Sequence, residues 1–119
     1  MKKSIIELAA ELLVKNQGAW WGSTIQVKDE SGNLFTFVFT KPGYAENTTF
    51  SFDCHCDLFE RPIGFGITTV YEEITMKKFH NPTYAQTEIK YDKEMVSKHE
   101  ETLRRAIELA LSIKSEKPK

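Results

Sequence analysis

The chain opens on a helical rhythm. Ile5, Leu8, Ala9, Leu12 and Leu13 recur every three or four positions, which sets them on one stripe of an α-helix. Ser4 and Glu7 form a capping-box pair, in which the serine oxygen accepts a first-turn N–H and the glutamate reaches back to the serine N–H. Gly18 offers a left-handed stop, so the first helix is expected over about residues 4 to 16.

The rhythm then changes to alternation. Ile25 and Val27 share one face of a strand over Thr24 to Lys28. Phe35, Phe37 and Phe39 share one face of the next, with Thr36 and Thr40 opposite. Between them, Asp29-Glu30-Ser31-Gly32-Asn33 is a turn of hairpin length. Lys41-Pro42-Gly43 stops the second strand, because proline cannot donate to the ladder. Thr49 to Leu58 reads as a third strand and Phe65 to Met76 as a fourth, irregular at Glu72-Glu73. Tyr84 to Tyr91 reads as a polar fifth strand at a sheet edge.

Helical spacing returns behind Asp92, a good N-cap. Met95, Val96, His99, Leu103, Ala106, Ile107, Ala110 and Ile113 fall on one stripe. Glu94/Lys98, Glu100/Arg104 and Glu101/Arg105 each set an acid four residues before a base on the solvent side. The expected fold is α+β: an antiparallel meander of four or five strands, with an N-terminal and a C-terminal helix packed on one face. The other sheet face is then open and carries the polar alternates.

Bulk composition narrows the class. At 119 residues the chain is expected to form one α+β domain with a frayed tail over about 115–119. Eight Phe, four Tyr and two Trp suffice for a sizeable core without disulfides. Sixteen basic residues against 17 acidic ones leave a formal charge of -1, without the basic excess of a dedicated nucleic-acid binder. Glu7 and Glu11 interrupt the first apolar run, which argues against a signal peptide, and no run is long enough to span a membrane. Two cysteines do not make a disulfide framework, so a reducing cytoplasm is the expected compartment.

The stretch FSFDCHCDLF, residues 50 to 59, concentrates the chain's metal-binding and nucleophilic residue types. Alternation divides it. Phe50, Phe52, Cys54, Cys56 and Leu58 continue the apolar row, and Asp53, His55 and Asp57 continue the polar one. The cysteines read as small core residues, since residues two apart on a strand are about 6.7 Å apart and badly aimed for a disulfide. Asp53, His55 and Asp57 share a face, and His55 with either aspartate could take a divalent cation given further ligands from adjacent strands. A solvated polar face explains the same row. A second candidate is aromatic: Trp20 or Trp21, between Gly18 and Gly22, could form a contact patch with Tyr44. His99 reads as a core histidine, and His80 lies in a basic loop with no acid or nucleophile at useful spacing.

Three functional classes follow. The expected one is a non-catalytic protein-binding module of the inhibitor, immunity or chaperone kind, working through the open sheet face or the aromatic loops. Its partner would be another protein or a second copy, with no cofactor, nucleic acid or membrane involved. The alternatives are a divalent-metal enzyme built on His55 with Asp53 or Asp57, and a binder of small apolar ligands in a cavity lined by Phe35, Phe37, Phe50 and Phe52.

Overall fold

The computed structural model describes residues 3–16, 23–40, 47–70 and 88–113. The elements are α1 (Ile5–Lys15), β1 (Thr24–Lys28), β2 (Leu34–Thr40), β3 (Asn47–His55), β4 (Ile63–Val70), β5 (Glu88–Tyr91), α2 (Lys93–Lys98) and α3 (Glu100–Ser112). The five strands form one open antiparallel sheet in the order β1-β2-β3-β4-β5, so the fold is α+β. Tyr84, the expected start of the fifth strand, and the rest of the stretch 71–87 lie outside the described residues, as does Gly18.

The capping box forms as the sequence requires. Ser4 Oγ accepts the Glu7 N–H, and Glu7 Oε1 accepts the Ser4 N–H, both at 3.1 Å. At the other end Asn16 closes α1, its Nδ2 donating to the Leu12 carbonyl at 2.9 Å. The β1–β2 turn is held by Asp29, whose carboxylate accepts the Ser31 and Asn33 N–H groups and the Asn33 side-chain amide. Gly32 has φ +85 there, a conformation that side chains rarely adopt.

One helix expected behind Asp92 is two. His99 separates α2 from α3 with φ -120 and ψ 30, outside the helical region. Its ring lies on Phe59 at a centroid distance of 4.9 Å. No proline or glycine marks this break, so the hydrophobic stripe reads straight through it. Ile113, the last member of that stripe, stands beyond the end of α3 and is exposed.

Both long helices cover one face. The Lys15 ammonium, at the end of α1, donates to the Leu111 carbonyl at 2.7 Å and also to the Ile113 carbonyl. Near the start of α3, Arg104 donates to the Lys3 carbonyl. The two helices therefore lie side by side and run the same way. α1 packs over β3 and β4, and α3 over β1. Beneath them runs a chain of rings across four strands. Phe52 meets Phe37, Phe39 and Phe65 at 5.5, 5.7 and 5.3 Å, and Phe65 stacks on Tyr91 at 5.7 Å. Such cross-strand aromatic pairs add to the area they bury.

The expected ion pairs along the last helix are only partly local. Arg104 pairs with Glu100 at 3.3 Å, as the spacing requires. Lys98 and Arg105 instead leave the helix surface for Glu60 and Glu30, on the β3–β4 and β1–β2 turns. Arg61, on the former turn, donates to Asp92 at 2.7 Å, and Asp92 also caps α2 by accepting the Met95 N–H at 3.1 Å.

Phe52→Ala removes the ring at the centre of this chain and should lower stability by about 3–5 kcal/mol, read by urea unfolding. A loss below about 1 kcal/mol would contradict the packing described. Asp92 supplies a pH dependence. The Met95 N–H first, and then Arg61, hold its carboxyl below the ordinary value of 3.8. The folded state therefore binds the proton less readily than the unfolded one, and the stabilisation is present above that value and lost as pH falls below it. The melting temperature of Asp92→Asn should lie below that of the natural chain at neutral pH and converge with it in strong acid.

Candidate functional site

With both long helices on the Phe side, no element among the described residues covers the other side of the sheet. Strand register assembles it from rows. Thr24, Val38, Asp53 and Gly64 are successive partners across β1 to β4. Gln26, Thr36 and His55 make the row on one side of it. Thr40, Ser51, Gly66 and Lys90 make the row on the other. Gln26 Nε2 donates to Thr36 Oγ1 at 3.2 Å, and Leu34, two residues before Thr36, is an exposed apolar neighbour.

Asp53 and His55 stand on this face as alternation requires, and both are exposed. Neither side chain has a hydrogen-bond or ion-pair partner among the described residues. The contrast with other acidic residues is marked. Glu11, Glu30, Glu60, Asp92 and Glu100 all have basic partners, and all lie on the helices, in turns or at a helix cap.

Asp57 does not continue the row. β3 ends at His55, and the Phe59 N–H donates to the Cys56 carbonyl at 3.0 Å, closing a turn. The turn resets the alternation. Leu58, expected in the core, is exposed, and Phe59 enters the core in its place, against Phe35 and His99. Asp57 is exposed on the turn, beyond the strand that holds Asp53 and His55. Among the described residues no three of His, Cys, Asp and Glu gather closely enough to hold a metal ion. Trp20, Trp21, Tyr44 and His80 lie outside the described residues.

The cysteines follow the apolar row. Cys54 is fully buried between Phe37 and Ile63, while Cys56, just past the strand, is half-buried. Burial first, and the neighbouring Cys56 second, push the Cys54 thiol far above its ordinary value. It stays protonated at neutral pH, which removes it as a nucleophile or thiolate ligand. His99 keeps its Nε2 buried with no hydrogen-bond partner among the described residues, its ring tilted against that of Phe59.

Sequence reasoning missed the part played by β4. Nothing local in Gly64-Phe65-Gly66 signals a role. Register shows the two glycines opposite Asp53 and Ser51. A Cβ on Gly64 would stand 2.5 Å from Asp53 Oδ1, so the carboxylate lies over the bare backbone of β4. Glycine inside a strand costs roughly 0.5–1 kcal/mol relative to alanine, and it often marks a close approach by another group. Lys90 also stands on this outer face. The alternation of Glu88-Ile89-Lys90-Tyr91 places it there, since Tyr91 belongs with the core ring of Phe65.

The chain matches no family model, no curated protein and no solved structure. Among the described residues no helix is long and apolar enough to cross a membrane.

Thiol chemistry checks the burial of Cys54. In the folded protein at mildly alkaline pH, a maleimide should label Cys56 first and Cys54 only under denaturing conditions, as read by mass spectrometry of digested peptides. Equal labelling of both in the folded state would contradict the core placement.

Proposed function

We propose that this protein is a non-catalytic protein-binding module, of the inhibitor, immunity or chaperone kind, which docks its partner on the outer face of the sheet. One observation carries the reading. The outer face presents Asp53 and His55 exposed and unpartnered among the described residues, while Glu30 and Glu60 in the turns and Asp92 at a helix cap are held in ion pairs. Unpaired polar groups on a flat strand surface are available to a partner at no cost in broken internal contacts.

The face is also built to be reached. Gly64 leaves room for the Asp53 carboxylate to lie over β4, and Val38 adds a half-buried apolar contact between Thr24 and Asp53. A small apolar centre within a polar surround is the usual anatomy of a non-obligate interface. Both thiols are free, in keeping with a reducing compartment, and the module is assigned to the cytoplasm on that ground.

Affinity capture from a native extract tests the assignment when two variants run beside the natural chain. Val38→Arg changes the outer face, and Ser97→Arg changes an exposed position on α2. A protein retained by the natural chain and by Ser97→Arg, and lost with Val38→Arg, is the expected result. Retention by all three, with Val38→Arg folded by circular dichroism, would place binding elsewhere and overturn the reading.

A further inference from the structure

His99 is a titratable group set where two elements meet. It closes α2 and opens α3 with φ -120 and ψ 30, and no glycine or proline beside it accounts for the break. At the break its ring lies on Phe59, 4.9 Å between centroids, in the turn that joins β3 to β4. The residue as a whole is half-buried, but its Nε2 is sealed from water and has no hydrogen-bond partner among the described residues. A buried polar atom without a partner is uncommon in a native fold and asks for a reason.

The reason lies in what the ring can tolerate. A neutral imidazole carries one N–H. With that proton on Nδ1, the sealed Nε2 is a bare lone pair, and the fold forgoes one hydrogen bond. An imidazolium carries N–H on both nitrogens, and a sealed, charged donor without an acceptor costs considerably more. The charged groups around the junction are already engaged. On the turn, Glu60 lies within electrostatic reach of the ring but is paired with Lys98 of α2, and Arg61 is paired with Asp92. On α3, Glu100 is paired with Arg104. Phe35 of β2, which packs on Phe59, is apolar. The Phe59 ring attracts a cation, but it is a weak substitute for an oxygen acceptor.

We infer that His99 is an acid-sensitive latch between the β3–β4 turn and the α2–α3 break, closed while the imidazole is neutral and opened by its protonation. Opening carries Nε2 into water, where the second proton finds an acceptor. The open form therefore gains on the closed one as pH falls through the imidazole range, from about pH 8 to about pH 5. Little else at the junction resists. The Lys98–Glu60 and Arg61–Asp92 pairs are both solvent-accessible, and such pairs contribute little. With six residues, α2 is too short to hold its shape unaided. The ladders of β1 to β4 need not change, so the opening is local.

Residue-resolved amide exchange on the full chain reads the latch, once the intrinsic pH dependence of exchange is divided out. The Phe59 and His99 amides donate to the Cys56 and Met95 carbonyls. Between about pH 7.5 and about pH 5 both should lose protection about tenfold or more, while the amides of β2 and β3 keep theirs. His99→Phe keeps a ring against Phe59 and takes up no proton, so its protection should be the same at both pH values. A second measurement needs no variant. In the natural chain the nuclear Overhauser contact between the His99 and Phe59 rings should fade in step with the imidazole shift that reports protonation. Protection unchanged down to about pH 5 overturns the latch. So does an imidazolium that keeps its contact with Phe59, and so does an equal acid-induced loss in His99→Phe.

Discussion

Phe52 touches three rings on its two neighbouring strands, and through them it fixes the parity of the central sheet. Side chains alternate along a strand with a period of two, so a slip of one residue would turn each inward ring outward. Phe37 and Phe39 on one side and Phe65 on the other make that slip expensive. Once Phe52 points toward the helices, Asp53 must point away, and its register partners Val38 and Gly64 with it. The composition of the outer face is thus a by-product of how the inner one packs.

The two faces consequently meet different demands. Inside, Phe35, Phe37, Phe52, Cys54 and Ile63 are sealed from water by α1 and α3, and a change of volume is felt at once. Outside, Gln26, Asp53, His55 and Lys90 are exposed, and such positions tolerate changes of side chain that the core does not. The thiol of Cys54 shows how far the separation goes. One residue from two exposed polar side chains, it is chemically quiet, because the strand turns it into the core.

Most of this organisation was legible in the sequence, since it rests on two short periodicities. The α+β meander, the inward Phe row, the capping box at Ser4 and the outward placement of Asp53 and His55 all follow from local pattern. What escaped was tertiary. Nothing local indicates that the Cys56–Phe59 turn hands the core position from Leu58 to Phe59. His99 ends α2 without a helix-breaking residue, where its ring rests on a side chain forty positions earlier. Lys98 and Arg105 had partners at ideal helical spacing and took others, because the β-turns beside α2 and α3 bring Glu60 and Glu30 within reach. Nothing local marks Gly64; only the strand register sets it under a carboxylate.

The side-by-side helices also shape how the chain must fold. Lys15 and the Leu111 carbonyl are 96 residues apart in sequence, and Arg104 and the Lys3 carbonyl are 101 apart. Contacts of such range are costly to form early, because a long loop must close before they contribute anything. During synthesis the apolar stripe of α1 leaves the ribosome well before the helix that will lie beside it. The meander, whose strands pair with their immediate neighbours, can assemble in the interval. α3 then arrives last, and its docking closes the inner layer over rings that have until then been open to water.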